Sequence, residues 1–253
     1  MRPKFYHNDR LRLGTLSGQY NGLTNPVRRV ADGSITVSYL ATSGATPTGA
    51  FETRIASGFA DPQNPTHFVI PRGTPTLSGY RIIIQSEDLD GSNQAVRLDV
   101  TTTSGEYGVF TLSGGTARRV WRITISGTAS MVPLRLFEAM LADEYETARS
   151  PIVGVQRIRS RQFTRIPIVG SQAFVKRDGP RLRRTRYTIP LVSGTEIDGL
   201  RTFIDSIEGG NPFFHIDDLG DAYFAELLGE GASEPDDAGV YFVEMEIQEI
   251  KVD

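Results

Sequence analysis

A chain of 253 residues with 39% hydrophobic side chains can bury the cores of two modest domains or one large β domain, which excludes disorder as its main state. The absence of cysteine excludes disulfides, thiolate metal sites and cysteine nucleophiles. Net charge is only −3, yet Gly154–Tyr187 carries ten Lys/Arg against one acid, and Thr195–Asp253 carries sixteen Asp/Glu against two bases.

The 26 glycines and 14 prolines point to a β-rich chain with many turns. No apolar run approaches the roughly 20 residues of a membrane span. The start, MRPKFYHNDRLRLG, lacks the apolar centre of a signal peptide, so synthesis and use in the cytoplasm, or assembly there into a particle, is expected.

In chain order, residues 1–22 read as a strand or docking arm with Leu11, Leu13 and Leu16. Val27 and Val30 lead to a turn at Asp32-Gly33, followed by Ile35, Val37 and Tyr39 in strand alternation. Thr42–Pro65, rich in small residues and proline, reads as irregular surface anchored by Phe51, Ile55 and Phe59. Strands are then expected at His67–Pro71, Gly79–Gln85, Ala95–Thr102, Gly108–Leu112, Arg119–Ser126 and Val132–Met140, the cadence of an antiparallel sandwich or barrel. DEYETARSP reads as a polar linker ending at Pro151.

Beyond it, Val155–Ile168 and Ala173–Val192 read as long strands, the second with a hairpin turn at Asp178-Gly179-Pro180. Ser193 and Glu196 have capping-box spacing, and Ile197, Leu200, Phe203, Ile204 and Ile207 recur at helical period, with Asp198, Arg201, Asp205 and Glu208 opposite. Gly209-Gly210 and Asn211-Pro212 end that helix before Phe213, Phe214 and Ile216 resume as a strand. Asp221–Leu228 reads as a short helix, GEGASEPDDAG as a polar loop, and Val240–Val252 as a strand. The expected division is an arm at 1–22, a sandwich at 23–147, and an α+β domain at 148–253 that the arm either joins or leaves.

No nucleophile–base set, metal spacing or nucleotide-binding motif is present, so no enzyme and no cofactor is expected. The histidines His7, His67 and His215 make no recognisable set; His215 beside Asp217 and Asp218 reads as a relay or as hydrogen bonding at a strand end. Glu87, Asp88 and Asp90 with Ser92 and Asn93 have the oxygen density of a calcium loop without EF-hand spacing, and an acidic hairpin turn is the alternative. Trp121 faces the same side as Ile123 and Ile125, which suits core packing better than sugar stacking. Glycan binding would call for exposed aromatics at loop tips, with Tyr20, Tyr39, Phe59 and Tyr107 as candidates.

The opposite charge of the two late segments has two readings. Neighbouring strands pair their side chains within one sheet, or surfaces of opposite sign stack copies head to tail into a ring. In the second, Arg181, Arg183, Arg184, Arg186, Glu244 and Glu246 are candidate subunit contacts. Nucleic acid is disfavoured as a partner, because the acidic segment repels phosphate and no aromatic platform accompanies the arginines.

Two stretches have family likenesses. NPVRRVADG, LSGYRIIIQSED, RRVWRITISG and LRLFEAML, over about residues 15–142, resemble the discoidin or galactose-binding-like jelly roll. FVKRDGPRLRRTRYTIPLVSG, the helix, GGNPFFHIDD and EMEIQEIKVD, over about residues 150–253, are similar to the structural domain of distal-tail and minor-tail proteins of long-tailed bacteriophages. Together they imply a mainly β fold: a galactose-binding-like sandwich plus a smaller α+β tail-ring domain with one packed helix. The second resemblance implies a homo-oligomeric ring at a virion tail tip, assembled in the host cytoplasm, with tail tube, hub and baseplate proteins as neighbours. The first implies, as the alternative, a carbohydrate-binding module for a host surface glycan.

Overall fold

The computed structural model describes residues 1–20, 23–24, 39–40, 51–74, 77–103, 105, 107–128, 131, 135–151, 155–167, 173–207, 211–232 and 240–250. Its elements in chain order are β1 (Lys4–His7), α1 (Arg10–Leu13), β2 (Thr15–Tyr20), β3 (Leu23–Thr24), β4 (Tyr39–Leu40), β5 (Phe51–Gln63) and β6 (His67–Thr74). There follow β7 (Arg81–Glu87), β8 (Ala95–Thr101), β9 (Gly108–Thr111), β10 (Arg118–Gly127), β11 (Arg135–Glu146) and β12 (Gln156–Pro167). The remainder are β13 (Ala173–Leu191), α2 (Gly194–Ile207), β14 (Phe213–Ile216), β15 (Ala222–Ala232) and β16 (Tyr241–Glu249). The fold is mainly β, as the sequence implies. The turn expected at Asp32-Gly33 and the glycines 209 and 210 lie outside the described residues.

The chain divides into two compact units, Tyr6–Glu144 and Met1–Phe5 with Tyr145–Lys251. In the first, a six-stranded sheet runs β3-β2-β5-β10-β7-β8, and β6 pairs β9 on one side and β11 on the other. The two layers meet in one core: Ile55, Ile82, Ile84, Trp121, Ile123 and Ile125 from the first, Phe68, Ile70, Ala139 and Leu141 from the second. This is a β-sandwich, and strand alternation explains it, since each of these series repeats every second residue. Trp121 lies in that core, its indole N–H donating to the Arg118 carbonyl at 3.3 Å.

A bulge in β8 has a consequence for the core. Leu98 opposes Ile84 while Val96 opposes Gln85, so Arg97 is the extra residue and turns inward. Its Nε donates to Ser86 Oγ at 2.7 Å and its Nη2 to the Thr116 carbonyl at 2.7 Å, while the guanidinium sits 5.8 Å from the Trp121 ring centre. Burial, and then the nearby charge of Arg118, lowers its pKa from the usual value, and no carboxylate among the described residues pairs with it.

In the second unit the antiparallel order is β12-β13-β16-β15-β14, with the first residues of β1 beyond β14. Helix α2 buries Leu200, Phe203 and Ile207 against Phe5, Tyr187, Ile189, Phe213, Val243, Met245 and Ile247. Ser193 Oγ accepts the Glu196 N–H at 3.2 Å, and the Glu196 carboxylate reaches back to the Val192 N–H at 2.7 Å. That is the expected reciprocal cap, shifted by one residue on the carboxylate side.

Four local expectations need correction. Thr42–Pro65 is not irregular throughout, because Phe51–Gln63 forms β5, hydrogen-bonded to β2 on one side and β10 on the other, with Ile55 and Phe59 buried. The Asp143–Glu146 part of the supposed linker is the end of β11, and Tyr145 packs on the helix-bearing core. Asp178-Gly179-Pro180 is no hairpin turn. From Ser160 to Gln162 β12 advances two residues while β13 advances four, from Leu182 to Asp178, so the phrase is a bulge, one of the places in a strand where a proline without an N–H is accommodated. Asp221–Leu228 is not a helix, since Ala222–Ala232 is a strand whose Tyr223 and Ala225 enter the core while its backbone pairs β14 and β16.

Candidate functional site

The outward face of the six-stranded sheet carries a trough of about 420 Å³ lined by Arg54, Ala56, Ile83, Gln85, Gln94, Arg122 and Thr124. Strand register assembles it. Thr124 of β10 lies between Arg54 of β5 and Ile83 of β7, and two residues along, Arg122 lies between Ala56 and Gln85. Side chains of one parity enter the core here and those of the other parity face out, so the alternation that buries Ile55, Ile84 and Ile123 presents Arg54, Ala56, Gln85, Arg122 and Thr124 outward. The small side chain of Ala56 leaves the floor low.

Two of the lining side chains are held by one carboxylate. Glu87, almost fully buried, accepts on Oε1 from Arg122 Nε at 2.7 Å and from Arg122 Nη2, and its Oε2 lies 3.5 Å from Gln94 Nε2. Arg122 itself remains half exposed, so it is oriented without being withdrawn from solvent. The trough thus offers two guanidinium groups, two carboxamides and a hydroxyl around an Ile83–Ala56 floor. Such a set has the donors and acceptors to hydrogen-bond a hydroxyl-rich ligand. No histidine, and no hydroxyl paired with a base, is among the lining residues.

The sequence candidates fall elsewhere. Phe59 is a core residue, so its role as an exposed aromatic is corrected; Tyr107 is half-buried, and the side chains of Tyr20 and Tyr39 lie outside the described residues. In the acidic turn, Asp88 accepts from Asn93 Nδ2 at 2.8 Å, Asp90 accepts from the Ser92 N–H at 2.9 Å and its hydroxyl at 2.6 Å, and Glu87 is turned to Arg122. The three carboxylates are thus engaged separately, and among the described residues no group of three or more His, Asp or Glu could hold a metal ion.

His215 is fully buried, stacked on Phe5 at 4.5 Å between ring centres. Its Nδ1 contacts the Lys4 carbonyl at 3.0 Å and must carry the proton, so Nε2 accepts the Tyr187 hydroxyl at 2.8 Å. Burial lowers its pKa to about 3. Asp217 accepts the backbone N–H groups of Leu219 and Asp221, both at 2.9 Å, and so closes the β14–β15 turn. The relay reading gives way to the hydrogen-bonding one.

The candidate subunit contacts lie on β13 and β16, which are neighbours. Arg186 opposes Glu246 in register, with 3.2 Å between Nη2 and Oε2; Arg184 donates to Gln248 at 2.8 Å; Arg183 reaches Asp221 at 2.7 Å. Glu244 is exposed opposite Thr188, and the Arg181 side chain lies outside the described residues. The basic and acidic segments therefore pair within one sheet. A shallower groove of about 200 Å³ runs over Gln156, Ile158, Arg184, Arg186 and Glu246.

No protein-family model matches the sequence, and no curated protein does. Among solved structures the chain is similar to chitosan-binding module 1 from the chitosanase/glucanase of Paenibacillus sp. IK-5, at 17% identity and TM-score 0.41 over 55% of this chain and 99% of that one. It is similar to the family 32 carbohydrate-binding module of Streptococcus pneumoniae EndoD, at 12% identity and TM-score 0.42 over 54% and 99%. A third neighbour comprises the CBM32-1, CBM32-2 and M60 catalytic domains of Clostridium perfringens ZmpB, at 10% identity and TM-score 0.39 over 96% of this chain and 36% of that one. None of these three is a phage tail protein.

No local pattern of residues marks the trough. Its residues are spread over three strands, β5, β7 and β10, and the segment before β8 that carries Gln94, and the signal that could have found them is the outward parity of β7 and β10 read together, which puts Gln85 and Arg122 on one face.

Proposed function

We propose that this chain is a non-catalytic carbohydrate-binding protein whose sandwich unit holds a glycan on the outward face of its six-stranded sheet. The observation that carries this reading is the trough, where Arg54, Gln85, Gln94, Arg122 and Thr124 converge over a low apolar floor. Its volume falls within the range of about 300–1,000 Å³ usual for small-ligand sites. Saccharide hydroxyls pair well with carboxamides and guanidinium groups, which offer several planar donors and acceptors at once. The test is a glycan array followed by titration of the hits. The expected result is saturable binding that falls at least about tenfold in Gln85→Ala, which removes one carboxamide from the site. An array with no hit, or hits that Gln85→Ala leaves untouched, contradicts the reading.

A second reading, a homo-oligomeric ring protein of a phage tail tip, is favoured by a different observation. Between Gln162–Pro167 and Ala173–Asp178 the strands β12 and β13 pair with each other, whereas β16 pairs β13 from Arg184 to Leu191. The outer part is thus a two-stranded ribbon that β16 does not pair, and its sequence carries Arg165, Lys176 and Arg177, so this is the segment on which a ring contact between copies would be sought. Light scattering at low and high salt tests it. A closed oligomer that loosens in salt supports a ring with charged contacts, and a monomer at every concentration removes self-assembly from the account.

A further inference from the structure

We infer that the sheet-face trough takes an internal stretch of an extended, β-1,4-linked glycan chain laid across the strands, rather than a single sugar residue or a chain end. This rests on the reading of the sandwich as glycan-binding and adds to it the length and shape of the ligand.

Register sets the direction of the trough. Ser17 of β2 lies opposite Ala56 of β5, Ala56 opposite Arg122 of β10, Arg122 opposite Gln85 of β7, and Gln85 opposite Val96 of β8. These residues form one row on the outward face, running across the strands. Ser17 and Val96 at its ends are exposed, while Ala56 and Gln85 are half-buried, so the row is deepest in its middle and accessible at both ends. Thr124 and Ile83 stand in the next outward row, two residues along their strands.

From β5 to the segment before β8 the trough crosses β10 and β7, three steps of about 4.7–4.9 Å, whereas its two rows lie only about 7 Å apart along the strands. It is longer across the sheet than along it. With the further step to Ser17 the row reaches about 19 Å, and each step is close to the length of one pyranose residue in an extended chain.

Arg122 leaves this path open. Its Nε and Nη2 both donate to Oε1 of Glu87, which lies two residues along β7 from Gln85, so the guanidinium is drawn out of the row and becomes a wall of the trough. Apolar and polar groups alternate along the path. Ala56 and the more than half-exposed Val96 suit the C–H faces of successive rings, and Gln85, Arg122 and Thr124 suit the hydroxyls at their edges. A continuous row also selects linkage, because β-1,4 bonds between equatorial positions keep successive rings in line, whereas α-1,4 bonds coil the chain away.

The experiment is calorimetric titration of the full chain with β-1,4-linked glucose, xylose, mannose and N-acetylglucosamine oligosaccharides of one to six residues. The α-1,4-linked glucose series and β-1,4 hexasaccharides O-methylated at both ends complete the panel. In one β-1,4 series the affinity is expected to rise at least about tenfold from monosaccharide to tetrasaccharide, and end-blocking changes it by less than about twofold.

Val96→Ala is the informative variant, since Val96 is exposed and its truncation leaves the core and the Arg122–Glu87 pair intact. It lowers tetrasaccharide affinity about threefold and leaves the disaccharide unchanged. A monosaccharide bound as tightly as the tetrasaccharide, or binding lost on end-blocking, overturns the inference and leaves the glycan reading standing. Tighter binding of the α-1,4 series overturns the extended shape, and a length dependence that Val96→Ala does not alter overturns the path across the strands. Binding of no saccharide in the panel overturns the inference, and an array without hits overturns the glycan reading with it.

Discussion

A Cβ on Gly115 would lie 1.4 Å from Nη1 of Arg97 and 2.3 Å from its Cζ. The loop after β9 therefore passes Arg97 at a distance only glycine permits, and it accepts the guanidinium through the Thr116 carbonyl at 2.7 Å. Gly115→Ala must displace a buried guanidinium from its oxygen partners, for a loss of about 2 kcal/mol in stability by chemical denaturation. In an Arg97→Met background more than half of that penalty disappears, so a double-mutant cycle returns a coupling between the two sites.

His215 is buried neutral, with its pKa lowered by desolvation from 6.5 to about 3, and His7 is lowered by burial to about 4. Between these values and 6.5 the unfolded chain binds protons that the folded chain does not. Stability is therefore full above pH 6.5 and is lost as pH falls, at about 1.4 kcal/mol per pH unit for each histidine. Denaturation midpoints measured from pH 7 to pH 4 should fall accordingly, and the His215 ring signal in NMR should stay that of a neutral imidazole at pH 5.

Asp9 has the opposite sign. It caps α1 by accepting the Leu11 N–H at 3.1 Å, and burial raises its pKa from 3.8 to about 7, opposed by the Arg12 guanidinium at 3.3 Å. The folded state holds this proton between pH 3.8 and 7, so the stability it contributes is present below 3.8 and is lost as pH rises through 7. Asp9→Asn keeps a capping oxygen and does not titrate. The stability of wild type relative to Asp9→Asn should decline from pH 4 to pH 7 and level off above it.

Phe213 is fully buried between Phe5 and Phe203, at ring-centre distances of 5.8 and 5.6 Å. Phe213→Ala removes the contact through which β14 meets α2, at a cost of about 3–5 kcal/mol. Thermal unfolding should show the drop, and the far-UV spectrum of the native state should keep its β character.

How legible all this was depends on how loudly each residue pattern speaks. Helix α2 carries a cap, a 3.6-residue period and a stop, and the structure reproduces it from Gly194 to Ile207. Strands β7, β8 and β10 show alternation and were expected within two residues of where they lie. Strand β5 was missed because Ala56 and Gly58 give its outward face no pattern, and Ala56 is part of the low floor of the trough. Strand β15 was misread because Tyr223-Phe224-Ala225-Glu226-Leu227-Leu228 suits helix or strand locally, and only pairing to both β14 and β16 decides it. The bulge that turns Arg97 inward is a long-range feature of the β7–β8 register, with no local signal.

The central claim is that a glycan sits on the outward face of the sandwich sheet. Its most direct test is NMR mapping of the labelled chain during titration with the glycan selected by the array. The account predicts shifts concentrated on the Ala56, Ile83 and Thr124 methyl groups and the Gln85 and Gln94 side-chain amides. Shifts confined to the surroundings of Tyr107, or to β12, β13 and β16, would contradict it.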